Sequence, residues 1–119
     1  MTTPTDPLFA QQWHFPLIGD IATIWDEFTG EGVTVGVYDD GIETDHPDLV
    51  GNYNAALEFE FDYDGDGTDE TGANIPADPM TGNDGHGTSV AGIIAATADN
   101  GIGGAGVAYD ASITSVNIF

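Results

Sequence analysis

The chain has 119 residues, 40% of them hydrophobic with 2 Trp, 4 Tyr and 6 Phe, enough apolar surface to bury a core in one domain or part of one. It carries 21 acids and neither Lys nor Arg, a net charge of −21, where average usage would supply about a dozen basic residues. Nucleic acid and anionic membrane surfaces need cations on the protein and are poor partners, whereas basic peptides and divalent cations are good ones.

Zero cysteine excludes disulfides, zinc thiolates and thiol catalysis. Self-repulsion of this size opposes a compact state unless salt or bound cations screen it. No apolar run reaches membrane-spanning length, which argues against membrane insertion, and the first residues lack the cationic and apolar regions of a signal peptide.

In chain order, residues 1–7 form an extended leader with two prolines, followed by an apolar arm (Phe9, Trp13, Phe15, Leu17) laid over a core. Asp20 is placed to cap a short helix whose apolar face is Ile21, Ile24, Trp25 and Phe28, ended by Gly30 and Gly32. Val33 to Tyr38, β-branched and bounded by glycines, reads as a buried strand. Leu57 to Tyr63 alternates apolar and acidic residues as a half-exposed strand does, and residues 64–85 are loop. Thr88 to Ala98 is helical, 99–106 a glycine-rich loop, and Ser112 to Phe119 another strand. Strand, long loop, helix and strand imply a right-handed parallel crossover. The predicted fold is therefore a doubly wound α/β sheet, mostly parallel, with helices on both faces and no internal domain boundary.

Two stretches carry chemistry. Asp39 and Asp40 end the first strand, where open α/β sheets assemble their sites, although Asp-Asp-Gly-Ile is also good turn chemistry. A phosphoacceptor receiver domain, which also places acids at strand ends, relies on a lysine that this chain lacks. His86 stands between Gly85 and Gly87 where a loop becomes a helix, and small residues (Ala91, Gly92, Ala95, Ala96) let that helix pack closely. Glycine on both sides suits an imidazole that must meet a bulky substrate. The positive helix end favours its neutral form, while a carboxylate partner pulls the other way.

Val35-Gly36-Val37-Tyr38-Asp39-Asp40-Gly41 through His46-Pro47-Asp48-Leu49, followed by Gly85-His86-Gly87-Thr88-Ser89-Val90-Ala91-Gly92, resembles the subtilisin-like serine proteases. The Asp-Asp-Gly form and the residues from Thr5 to Trp13 are most similar to the kexin/furin proprotein-convertase branch, and residues 101–109 extend the match. The resemblance implies that Asp39 is the triad acid and His86 the general base of a calcium-dependent serine endopeptidase in an extracellular or secreted setting. The family's nucleophile and oxyanion asparagine come far downstream. Ser89, Ser112 and Ser115 are the chain's serines, and none has a Gly-Thr-Ser-x-Ala context. The expectation is the N-terminal portion of one peptidase domain, inactive alone, which needs the C-terminal part of that domain as its partner.

By the same resemblance Asp6 and Asp48 match carboxylate ligands of a structural Ca2+ site, Asn100 an amide ligand, and Thr97, Ile102 and Gly104 carbonyl donors. Asp62, Asp64 and Asp66 alternate like the first half of an EF-hand loop, without a glutamate at the twelfth place, so a second Ca2+ site competes with an acidic surface loop. Asp40 matches an acid that recognises a basic residue before the scissile bond of a peptide or protein substrate. A second such acid falls on Asn83, with Asp84 beside it, which departs from the pattern for dibasic cleavage. A segment free of Lys and Arg resists cleavage at basic sites, but an acid-biased proteome gives the same composition. The competing function is a non-catalytic, calcium-binding pseudoprotease or binding module.

Overall fold

A computed structural model describes residues 3–57, 59–60 and 85–118. Strand β1 (Thr34–Asp39) lies parallel to β3 (Ser112–Asn117), and β3 in turn pairs in parallel with the two residues of β2 (Phe59–Glu60), so the sheet order is β1-β3-β2. Helix α3 (His86–Ala95) packs on one face of β1 and β3. Its contact surface is made of Ala91 and Ala95, both fully buried, which lets the helix approach Val37, Ile42, Leu49 and Ile113 closely.

The parallel α/β arrangement agrees with the sequence reading, but its details differ. Of β1 only Val37 is fully buried; Thr34, Gly36 and Tyr38 face outward and exposed, because among the described residues helices cover one face of the sheet, not both. Leu57 belongs to a 3-10 turn (Ala55–Leu57) that precedes β2 and not to the strand, since the Asn54 side chain accepts the Ala56 N–H and sets a turn there. The helix that was expected from Thr88 begins two residues earlier and ends at Ala95. There Gly106 N–H donates to the Ala96 carbonyl (2.8 Å), and a side chain on Gly106 would strike the Ala95 backbone.

The N-terminal part forms a second cluster. Helix α1 (Phe15–Ile18) and helix α2 (Ile21–Trp25) bury Phe15, Ile21 and Trp25 against Ala105 and Tyr109. Asp20 caps α2 through Thr23, as expected. Because α2 stops after five residues, Phe28 falls outside it and is exposed; Ile24, though inside the helix, is exposed as well, as are Trp13 and Leu17 of the arm. No described helix is long and apolar enough to cross a membrane.

Candidate active site

The β1–β3 register sets the site. Asp39 lies opposite Asn117 at the end of the paired region, and Ile118 N–H donates to the Asp39 carbonyl (3.0 Å), so the chain leaves the sheet immediately after Asp39. Across from it, His86 is the first residue of α3. Its Nδ1 sits 2.9 and 2.8 Å from the two carboxylate oxygens of Asp39. A carboxylate only accepts, so Nδ1 carries the proton and, in the neutral ring, Nε2 keeps its lone pair.

Asp40 is spent differently. Its Oδ2 accepts the His86 N–H (3.1 Å) and its Oδ1 the Gly87 N–H (2.6 Å). Helices usually take such a cap from an adjacent Ser, Thr, Asp or Asn, but Gly85 has no side chain, and an acid 46 residues away supplies it. A β-carbon on Gly87 would collide with the Gly41 carbonyl and stand 3.0 Å from Asp39 Cβ, so glycine is required for α3 to sit this close to β1.

The electrostatics follow. His86 is raised above the ordinary histidine range, first by the hydrogen bond to Asp39, then by that residue's charge and, more weakly, by Asp40. The carboxylate's pull on the imidazole is in the direction expected. The imidazole is 74% exposed, and Asp40 sets a negative charge on the helix end, so Asp39 prevails. Asp39 itself is pushed up by burial. The N–H of Asp40 (2.9 Å) and His86 outweigh that and hold the carboxyl below its ordinary range.

The serines do not meet this pair as a nucleophile would. Ser89 Oγ donates to the Gly85 carbonyl (2.7 Å) within its own helix, Ser115 is fully buried in β3, and Ser112 is at the strand's opposite end from Asn117. A groove of about 470 Å³ is lined by Leu8, His46, Asp48, Ser89 and Ile93, but it includes neither Asp39 nor His86.

At the far end of α3, the other predicted set comes together. Asp6 and Asp48 are 4% and 6% exposed. Asp6 accepts Asp99 N–H (2.7 Å) and Gly101 N–H (3.0 Å); Asp48 accepts the Asn100 amide (2.8 Å) and Gly104 N–H (3.1 Å). Asn100 Oδ1 accepts Ile102 N–H, and Thr97 N–H donates to the Asp48 carbonyl, while the buried Thr97 hydroxyl has no partner. Gly103, at φ +51°, carries the loop past the Asp48 carboxylate where a side chain would overlap it.

Two buried carboxylates, an amide and an orphaned hydroxyl are hard-oxygen donors, the ligand type that Ca2+ takes. Among the described residues no three acids or histidines cluster as ligands, so amide and carbonyl oxygens would complete the shell. Asp62, Asp64, Asp66 and Asp84 lie outside the described residues, as does Asn83.

Two features had escaped sequence reading. Gln12 clamps residue 105, its amide donating to the Ala105 carbonyl and accepting the Ala105 N–H (both 2.8 Å). Asn117 is buried beside Asp40, and its one signal in the sequence was an amide where an apolar strand residue was expected.

Residues 30–119 match the profile of the subtilase family, peptidase S8. The chain is 43% identical to proprotein convertase subtilisin/kexin type 4 of Rattus norvegicus over 99% of its own length and 17% of the relative's. It is 40% identical to furin of Mus musculus over 97% of its length and 14% of furin's, so it spans about one sixth or less of these relatives. Among solved structures, a protease from Pseudoalteromonas arctica superposes with a TM-score of 0.75 at 33% identity, covering 99% of this chain and 39% of the other. The chain belongs to the subtilase family of serine peptidases, on its kexin- and furin-like branch.

Proposed function

We propose that this chain is the N-terminal portion of the catalytic domain of a calcium-dependent serine endopeptidase, with Asp39 as triad acid and His86 as general base. The observation that carries it is the 2.8 Å contact between His86 Nδ1 and the Asp39 carboxylate. Asp39 fixes the tautomer that leaves Nε2 to accept a proton, and it stabilises the imidazolium once the proton has moved. The serine that loses that proton, and the donors for the oxyanion, come from the rest of a doubly wound domain with helices on both faces. The isolated chain is inactive in this reading, because Ser89 is committed to Gly85 and Ser115 is buried.

Asp6, Asp48 and Asn100, with the carbonyls of Thr97, Ile102 and Gly104, hold Ca2+, which supplies charge neutralisation between leader and loop. The pairing of two buried acids in a chain without Lys or Arg supports this. Substrates are peptides or proteins with a basic residue near the scissile bond, met by Asp40 and Asp84. Asp40 retains acceptor capacity beyond its two N–H bonds, since each carboxylate oxygen has a second lone pair. The setting is extracellular.

The test is a fluorophosphonate probe on the full-length protein. Covalent labelling that is lost in His86→Ala and absent from the isolated chain is expected. A folded full-length protein that takes no label and cleaves no peptide would sink this reading in favour of a calcium-binding protein without catalysis.

A further inference from the structure

Asn117 is an unusual end for a core strand. It is 1% exposed on β3, two strand positions after the buried Ser115 and next to Val116, in a setting that favours β-branched and aromatic side chains. Burying an amide there is costly unless it is hydrogen-bonded. Its Nδ2 donates to the Asp40 carbonyl at 3.4 Å, while the next backbone N–H, that of Ile118, donates to the Asp39 carbonyl at 3.0 Å. Successive carbonyls of the Asp39–Asp40 elbow are thus held from β3, the second by a side chain where the regular ladder has run out. From that fixed point Asp40 reaches its carboxylate to the N–H groups of His86 and Gly87, and Asp39 reaches His86 Nδ1.

We propose that Asn117 is a positioning residue. Through the Asp40 carbonyl it sets the spacing between β1 and the first turn of α3, and with it the Asp39–His86 contact. It acts through Asp40 and not as a member of the acid–base pair. The inference rests on the reading of Asp39 and His86 as acid and base.

The test uses the full-length protein and three variants. Asn117→Ala removes the amide, Asn117→Thr keeps a strand-compatible side chain too short to reach the Asp40 carbonyl, and Thr114→Val is the control. Thr114 is buried on the same strand with a hydroxyl that lacks a partner, so its loss disturbs the strand without touching the elbow. The readouts are the NMR titration of the His86 imidazole and kcat measured apart from KM. In either folded Asn117 variant the His86 midpoint should fall toward the ordinary histidine value and kcat should drop about tenfold or more with little change in KM, while Thr114→Val leaves both unmoved.

In the unmodified protein the Asn117 side-chain amide signals should shift with the His86 midpoint, a readout that survives even if both variants fail to fold. A His86 midpoint that stays raised in a folded Asn117 variant, or an Asn117 amide blind to the His86 titration, overturns the proposal. A folded, unmodified full-length protein that takes no fluorophosphonate label and cleaves no peptide instead overturns the acid–base reading beneath it.

Discussion

The carboxylate of Asp40 caps the helix that begins at His86, with Gly87 N–H 2.6 Å from its Oδ1. A cap donated from another element ties that element to the helix, so the strand that carries Asp39 and the helix that carries His86 are joined twice, once through each acid. Removing Asp40 should therefore act on catalysis without any contact between Asp40 and the reacting atoms. Asp40→Ala is expected to cost about 1 kcal/mol of stability, the usual worth of an N-cap, and to lower the His86 midpoint. Asp40→Asn, which keeps an acceptor, should recover most of the stability. Urea unfolding with His86 NMR checks both; an Asp40→Ala protein of unchanged midpoint and stability would leave Asp40 a substrate contact alone. Parallel kcat/KM values for Lys and neutral residues on the substrate separate the two roles.

The pH dependence has a definite sign. Because Asp39 raises His86, the imidazole stays protonated to higher pH than a free histidine, and the base form appears only above that raised midpoint. The acid limb of kcat/KM should lie above the ordinary histidine value and move down in Asp39→Asn. For folding, the His86–Asp39 attraction is fully present below the unfolded histidine pKa and is lost as pH rises through the folded one. Seen from Asp39, whose folded pKa is lowered, the contribution is present above its unfolded pKa and is lost as pH falls through the folded one. The imidazole is 74% exposed, so 1 M salt should bring the His86 midpoint down.

Calcium removal tests the other end of α3. Where Ca2+ stands a hundredfold above its Kd, binding adds about 2.7 kcal/mol to stability, so chelator should lower the melting temperature by several degrees and Ca2+ should restore it. Asp6→Asn and Asp48→Asn should each abolish the response. A melting curve indifferent to chelator in the unmodified protein would remove Ca2+ from this site.

Trp25 joins the leader cluster to the loop after α3. It is 3% exposed, and its indole N–H donates to the Val107 carbonyl at 2.8 Å. Trp25→Ala should cost about 3–5 kcal/mol, whereas Trp13→Ala, at a residue 74% exposed, should be near neutral. Acrylamide quenching of the two single-Trp variants reports the same difference: Trp13 open, Trp25 shielded.

Strand, helix, parallel class and the acid–histidine pair were legible in the linear sequence because each rests on local signals. These are glycine-bounded β-branched runs, small residues at helical spacing, and Asp39 and His86 in recognisable contexts. The pattern overreached where it assumed partners. Ile24 and Phe28 lie on the stripe that the 3.6-residue period draws, yet α2 stops at Trp25, short of Phe28, and Ile24, though inside the helix, is exposed. Likewise β1 reads as buried from composition, but Thr34, Gly36 and Tyr38 face no helix among the described residues.

Residue types and their order were enough to place an Asp at the end of one strand and a His where a loop becomes a helix, and to show that −21 of charge would leave any buried acid needing N–H groups or a cation. Which group each acid contacts comes from the tertiary structure. Asp39 and Asp40 are neighbours of the same type, and no local rule separates them. The direction in which each points follows from the β1–β3 register and the approach of α3, long-range contacts that put one carboxylate on an imidazole and the other on a helix end.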